Sequence, residues 1–397
     1  MKVADFLGKK TYIWGIPGVE GDAVAALFRA HGVPFGVIEK DVIPDDAEVV
    51  VKAPGISIYK PEYIAAAKRG VRFTQLMNIF LSEWAGRSPV IAITGTKGKT
   101  TTASMLAFML GRLGKRVGLG GNIGTPPLDF LGQKLDYVVL ELSNFQIASL
   151  DDIWPDIVQV VSISPAHLDW HQNYENYKRD KLRLLPHAKL ALLCGHDEYL
   201  KSLALPNARF YYRTALPLPM LQVVGEHNII NLSGALEIVR ELGFDPVAAL
   251  ATMPDFKPIE HRLEKVHEKG RWLFINDSIA TVAESVIAGV KAFAGRPIAV
   301  IVGGYDNKSA NYGELSKFLT VNKSVKIIVG LPDTGRLIES PKLKMVGASM
   351  QEAVDAAVAA LPDGGVVLLS PAAQSFNMYK NYKERGHDFT ACAKRAV

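Results

Sequence analysis

Val90-Ile91-Ala92-Ile93-Thr94-Gly95-Thr96-Lys97-Gly98-Lys99-Thr100-Thr101-Thr102 is the stretch that decides the fold. The β-branched apolar run Val90–Ile93 reads as a buried parallel strand, and Ala103-Ser104-Met105-Leu106-Ala107-Phe108-Met109-Leu110 as the start of a helix. Strand, glycine turn and helix N-terminus in that order make a phosphate cradle, because main-chain N–H groups and the helix dipole face the anion. Lys99 is placed to reach the terminal phosphates and Thr100 to take Mg²⁺, while Gly95, Thr96, Lys97, Gly98 and Thr101 complete the loop. The common P-loop has a glycine separated by four residues from its Gly-Lys pair; here that position is Ile93. A plain glycine turn with a solvated lysine explains less, since strand, Gly-x-x-Gly-Lys-Thr-Thr and helix coincide.

The 397 residues suffice for two to four domains, each with its own core. Apolar content of 48% against 21% charged residues is that of a globular protein. The net charge of +5 comes from scattered Lys and Arg, which argues against nucleic acid and is compatible with an anionic small-molecule substrate. Cys194 and Cys392 match no metal or redox spacing and fit inert thiols in a reducing cytosol. Met1–Phe6 lacks a signal-peptide core, and no apolar run approaches a membrane span, so a cytoplasmic location without stable membrane insertion is expected.

Strands alternate with helices along the whole chain, predicting an α/β protein of three domains. Residues 1–87 read as a small Rossmann-like N-terminal sheet, 88–253 as a central P-loop ATPase domain and 254–397 as a C-terminal Rossmann-like domain. In the first, Gly15, Gly18 and Gly21 form a loose dinucleotide-type turn, either a ligand loop or an ordinary strand–helix turn. Ala53-Pro54-Gly55 follows the strand Glu48–Lys52, at the carboxyl end where such sheets bind ligands. Ala204 to Leu221, rich in proline and arginine, reads as irregular connection.

Glu141 ends the apolar strand Tyr137–Leu142, the position from which Walker-B-type acids hold Mg²⁺. His167, Asp169 and His171 crowd the end of the next strand. His167 is a candidate ligand for a second divalent ion, whereas Asp169 and His171 fit a polar loop with capping residues. Lys181 lies on a helical stretch where a lysine is normally at the surface, and spacing alone does not single it out.

Together these motifs resemble the Mur ligases, ATP-dependent amide-forming enzymes of peptidoglycan synthesis, and within them the glutamate-adding (MurD-type) branch. Thr94–Thr101 is similar to the family's Gly-Thr-Asn-Gly-Lys-Ser/Thr-Thr loop, Gly121-Asn122-Ile123-Gly124 to its Gly-Asn-Ile-Gly, and Glu141–Gln146 to its Glu-Leu-Ser-Ser-Phe-Gln. Ser164–His171 resembles Asp-His-Leu-Asp-Arg-His with Ala166 in place of the acid. Further along, Gly225–Asn231, His261–Glu264, Asn276–Thr281 and Ser370–Phe376 resemble the family's Gly-x-His-Asn-x-x-Asn, His-Arg-x-Glu, Asn-Asp-Ser-Lys-Ala-Thr and Ser-Pro-Ala-Cys-Ala-Ser-Phe/Leu.

The resemblance implies the roles. The first domain is expected to hold the UDP group through Gly15, Gly18, Pro54 and Gly55, with Asn122 on the muramoyl part. Residues 95–101 take the ATP phosphates; Thr100 and Glu141 share one Mg²⁺, and His167 serves a second. Lys181 aligns with a lysine that the family carries as an N-carbamate. Asn228, Asn231, Arg262 and Asp277 are expected around the nucleotide, and Thr281, Lys308, Ser375 and Tyr382 around the incoming glutamate. The implied reaction joins D-glutamate to UDP-N-acetylmuramoyl-L-alanine through an acyl phosphate, by a monomer with Lys99, His167 and Lys181 as its catalytic residues. Four departures stand out. Lys97 replaces the loop asparagine, Ile279 a lysine, Ala373-Gln374 a Cys-Ala pair, and Tyr382 stands where phenylalanine is common. Three of them fall beside the amino-acid site, which keeps L-glutamate as an alternative substrate.

Overall fold

The computed structural model describes residues 1–151, 153–223, 225–257, 259–305, 312–347 and 349–396, apart from the Glu284 side chain. Two compact units emerge: Met1–Pro219 with Ile229–Pro254, and Met220–Asn228 with Asp255–Val397.

The first unit contains two parallel sheets. β1 (Thr11–Trp14), β2 (Gly36–Ile38), β3 (Val49–Lys52) and β4 (Arg72–Thr74) are ordered β2-β1-β3-β4. β4 escapes sequence reading because three residues are too few to show a period. The second sheet holds β5 (Val90–Thr94), β6 (Val117–Gly121), β7 (Tyr137–Glu141), β8 (Ile157–Val160), β9 (Leu190–Cys194) and β10 (Ala208–Tyr211), in the order β10-β9-β8-β5-β7-β6. β5 is buried at all five positions, as a parallel strand covered on both faces must be. Chain order reverses between β5 and β8, so the loop after β5 opens at the switch point where such sheets bind ligands. The stretch expected to be an irregular connection contains β10, an edge strand beside β9 that leaves Arg209 and Phe210 exposed, which hides it in the sequence.

The second unit is built on β11 (Glu264–Lys269), β12 (Trp272–Asn276), β13 (Ile298–Gly304), β14 (Val325–Asp333), β15 (Leu343–Met345) and β16 (Gly365–Leu369), ordered β11-β12-β16-β13-β14-β15. The β11–β12 pair is antiparallel and the other strand pairs of this sheet are parallel. Side chains alternate between two cores: Leu273, Ile275, Val366 and Leu368 enter one, Phe274, Val367 and Leu369 the other. The result is the mixed α/β architecture with three sheets expected from the sequence. Among the described residues, no helix is long and apolar enough to cross a membrane.

Candidate active site

The turn after β5 runs into the helix Lys99–Arg112 through Gly98, whose φ of +86° lies in the left-handed region. A Cβ at Gly98 would stand 2.5 Å from Asn231 Oδ1, so the two sequence-predicted nucleotide residues are packed against each other. The Lys99 amine folds back onto its own loop, donating to Gly95 O (3.0 Å) and Thr96 O (3.1 Å). Thr96 Oγ1 accepts from Ser164 N at 2.9 Å and shares a 2.6 Å hydrogen bond with Tyr177 OH, which fixes the loop against the chain after β8. Lys97 bonds through its main chain to Ser162 Oγ while its side chain is exposed.

Lys181 reaches the same loop. It is 1% exposed, and its Nζ donates to Gly95 O at 2.9 Å. Burial, with the charge of Lys99, pushes its pKa well below the usual lysine range, against the pull of Glu141. Glu141, at the end of β7, is equally buried; Oε1 accepts from Asn122 Nδ2 (2.9 Å) and Oε2 has no hydrogen-bond partner among the described residues. His167 stands at φ +51° in front of the short helix Leu168–His171, its ring against Phe145. Partial burial and the nearby Lys181 hold its imidazole below the ordinary histidine range, with Asp169 opposing.

These surroundings fit the groups implied by the resemblance. A buried carboxylate oxygen without a hydrogen-bond partner among the described residues, at a strand end beside a phosphate cradle, suits a divalent cation that Glu141 and Thr100 would share, with His167 the candidate ligand of a second. A desolvated lysine held toward its neutral form is the species that takes up CO₂. Mg²⁺ bound there would supply charge neutralisation to phosphoryl oxygens, and a carbamate would make the Lys181 side chain an anion.

His171, expected in a polar loop, is fully buried instead. Its Nε2 meets Asn144 Nδ2 at 2.6 Å and its Nδ1 meets Asp180 Oδ2 at 2.7 Å. Tyr59 OH also donates to Asp180 (2.7 Å), so a chain of polar groups runs from the turn after β3 to the residue preceding Lys181. Sequence reading gave no role to Asn144, which lies inside the Glu141–Gln146 motif, or to Asp180, the neighbour of Lys181.

On the first sheet, Gly15 (φ +118°) approaches Ala53 so closely that a Cβ would lie 2.5 Å from that of Ala53. The glycine turn and the Ala53-Pro54-Gly55 loop are therefore neighbours. Gly18 N donates to Asp22 Oδ2 at 3.0 Å.

The second unit gathers Asp277, Ser375 and Tyr382. Asp277 Oδ1 accepts from Leu263 N (3.2 Å) and Oδ2 from Ser370 Oγ (2.8 Å); burial pushes its carboxyl up to about 7. Arg385, which sequence reading passed over, is 1% exposed. It donates to Ser278 O (2.8 Å), Ala373 O (3.0 Å) and Gln374 O (3.1 Å), and to Ser278 Oγ (3.0 Å), which itself donates to Tyr382 O (2.8 Å). It thereby braces the loops after β12 and β16. An arginine in the otherwise apolar Gly386–Phe389–Ala393 face of the last helix was the available signal. Asn228 is counted in this unit and Asn231 in the first. Thr281 and Arg262 are partly buried, and the expected glutamate ligand Lys308 lies outside the described residues.

Comparison with known proteins bears on the same residues. The description "Mur ligase middle domain" matches residues 93–215. A UDP-N-acetylmuramoylalanine--D-glutamate ligase of Oleidesulfovibrio alaskensis is 35% identical over 86% of this chain and 78% of its own. UDP-N-acetylmuramoyl-L-alanine--L-glutamate ligases of Micromonospora sp. and Xanthomonas axonopodis pv. citri are 31% and 34% identical, each over 99% of this chain and 98% and 97% of their own. Among solved structures, the MurF ligase of Thermotoga maritima in complex with ADP aligns with a TM-score of 0.67 at 18% identity, covering 100% of both chains; this likeness is one of fold.

Proposed function

The chain belongs to the Mur ligase family, and from that premise we propose that it joins glutamate to UDP-N-acetylmuramoyl-L-alanine at the expense of ATP, in peptidoglycan precursor synthesis. The observation carrying this reading is the meeting of Lys99 and Lys181 on Gly95 O, with His167 and the unpartnered Glu141 Oε2 beside them.

A carboxylate is a poor electrophile. Its oxygen attacks the γ-phosphorus of ATP, ADP leaves, and an acyl phosphate results. Lys99 and the main-chain N–H groups of residues 95–101 offset the charge on the phosphoryl oxygens, where such transfers need most help. The glutamate amine then attacks the acyl carbon, loses a proton, and expels phosphate from the tetrahedral intermediate. Thr281, Ser375, Tyr382 and Lys308 hold that glutamate, while Asn228, Asn231, Arg262 and Asp277 serve the nucleotide. The reading includes domains at 1–87, 88–253 and 254–397, two Mg²⁺ ions, a Lys181 carbamate and a cytoplasmic monomer.

D-glutamate is the first reading of the incoming residue. L-glutamate is favoured by a specific observation: Ile279 stands where the family has a lysine, and the relatives matched over 99% of this chain carry the L-glutamate name. ADP release assayed with UDP-N-acetylmuramoyl-L-alanine and each enantiomer decides. Release requiring both substrates supports the ligase, and the enantiomer turned over assigns the amino acid. ADP release independent of UDP-N-acetylmuramoyl-L-alanine refutes the proposal.

A further inference from the structure

Lys52, the last residue of β3, is 2% exposed. Its amine donates to Ile56 O at 3.0 Å and to Ala53 O at 3.4 Å, the two ends of the loop around Pro54 and Gly55. The carbonyl between them, Gly55 O, accepts from Trp170 Nε1 at 3.0 Å. Ser57 Oγ closes the loop by donating to Trp170 O at 2.8 Å, and the Lys52 amine lies 6.0 Å from the Trp170 ring centre. Three main-chain carbonyls within four residues are thus held from inside by two side chains.

The choice of a lysine has a physical cost that calls for an explanation. Burial pulls its pKa down to about 7, with only Glu20 pulling back. Glu20 itself is half-buried: Oε1 accepts from Gln146 Nε2 (2.9 Å), and Oε2 has no hydrogen-bond partner among the described residues. The space beside Lys52, walled by Ile13, Val24 and Leu76, has no room for a water molecule next to the amine. Charged or neutral, the amine keeps at least two N–H donors, enough for both carbonyls. An apolar residue of the same length would leave them unpaired, and the loop would have to turn toward solvent.

Trp170 is three residues beyond His167 and shares its segment. We propose that Lys52 is a positioning residue which, with Trp170, fixes the Ala53–Ile56 loop in the shape that receives the nucleotide-sugar substrate, and ties that loop to the segment carrying His167. The inference rests on the substrate reading above for what the loop receives. Its geometry stands independently.

The test uses the full-length protein with Lys52→Met, which keeps the stem and removes the donors, and Trp170→Phe, which removes one N–H. Loss of two buried hydrogen bonds is expected to raise KM for UDP-N-acetylmuramoyl-L-alanine about tenfold in Lys52→Met, with KM for ATP changed less than about twofold. Trp170→Phe is expected to shift it about threefold in the same direction, and the double variant less than the product of the two, because both hold one loop. Hydrogen exchange, which needs no substrate, is expected to quicken in residues 53–58 and 164–171 together in either variant. A lower melting temperature with KM unchanged overturns the proposal, as does an equal rise in KM for ATP. Faster exchange confined to 53–58 overturns the tie to His167. If Lys52→Met does not fold, Trp170→Phe carries both readouts. Wild-type protein that fails to turn over the nucleotide sugar sinks the substrate reading instead, and leaves the exchange comparison to judge the loop.

Discussion

Asp277 offers a quantity that the structure sets and titration can read. It is 4% exposed, and burial raises its carboxyl from 3.8 to about 7 in spite of the hydrogen bonds from Ser370 and Leu263. A carboxyl whose pKa is higher folded than unfolded holds its proton more tightly in the native state. Its contribution to stability is complete below about pH 4 and is lost as pH rises through 7. Between about pH 5 and pH 8.5 the linkage integral amounts to a loss of about 3 kcal/mol, most of it below pH 7. Asp277→Asn keeps the shape and the acceptor for Leu263 N and cannot ionise. The expected result is that the wild-type stability, measured relative to Asp277→Asn, falls by that amount over the window. Because the chain has two compact units, the free energy is best read for the second alone, from native-state exchange of β12 and β16 amides. Taking the difference between the two proteins removes the opposing contribution of buried His261, whose pKa is lowered by desolvation and whose stability term grows with pH. A difference that stays level within about half a kcal/mol would refute the idea that burial keeps this carboxyl protonated.

The remaining predictions concern the chemistry directly. Lys181→Ala is expected to abolish turnover and to recover part of it when a short carboxylic acid is added; full activity without additive removes the carbamate from the reading. Glu141→Gln keeps the bond from Asn122 but takes away the charge on the unpartnered oxygen, and a fall in kcat of about a hundredfold or more, with a higher Mg²⁺ requirement, is the expected result. Arg385→Met strands the carbonyls of Ser278, Ala373 and Gln374, so thermal denaturation should show a destabilisation of about 3 kcal/mol, and steady-state kinetics a KM for glutamate raised far more than that for ATP.

What could be read from the sequence was what contiguous residues encode. The run Val90–Thr102 carries strand, turn and helix start in one stretch, and its phosphate cradle is made largely of main chain, so composition and order suffice. Glu141 was accessible for the same reason, standing at the end of an apolar strand. Lys181 was reached only through a resemblance, because what distinguishes it is complete burial against Gly95, 86 positions earlier in the chain. His171 was misjudged for a similar cause. Polar residues in a row look solvated unless their partners are visible, and these partners are Asn144 and Asp180. Lys52 ended the strand Glu48–Lys52 and drew no role of its own, because the carbonyls that draw it inward belong to the turn that follows. Arg385 was missed because its acceptors are main-chain oxygens, which no side-chain motif records.

These lysines and this arginine share one device. Lys52 holds the loop after β3, Lys99 and Lys181 the loop after β5, and Arg385 the loops after β12 and β16, each by donating to main-chain carbonyls. A carbonyl satisfies the donor without cancelling the charge, in contrast to a carboxylate, which would do both. For Lys52, Lys99 and Arg385 the side chain therefore sets the loop's shape while its positive field remains available to an anion, whereas the proposed carbamate would replace the charge of Lys181. All the proposed substrates are anions: a nucleotide diphosphate sugar, ATP and glutamate. Desolvation is the opposing force, visible in the lowered pKa values of Lys52, Lys181 and Arg385. An incoming anion stabilises the charged form, so its binding is expected to draw a proton onto Lys52, whose pKa near 7 leaves it partly neutral, whereas Arg385, lowered only to about 10, stays charged throughout. The same carbonyl-held architecture thus gives a fixed cation in the second unit and a titratable one in the first.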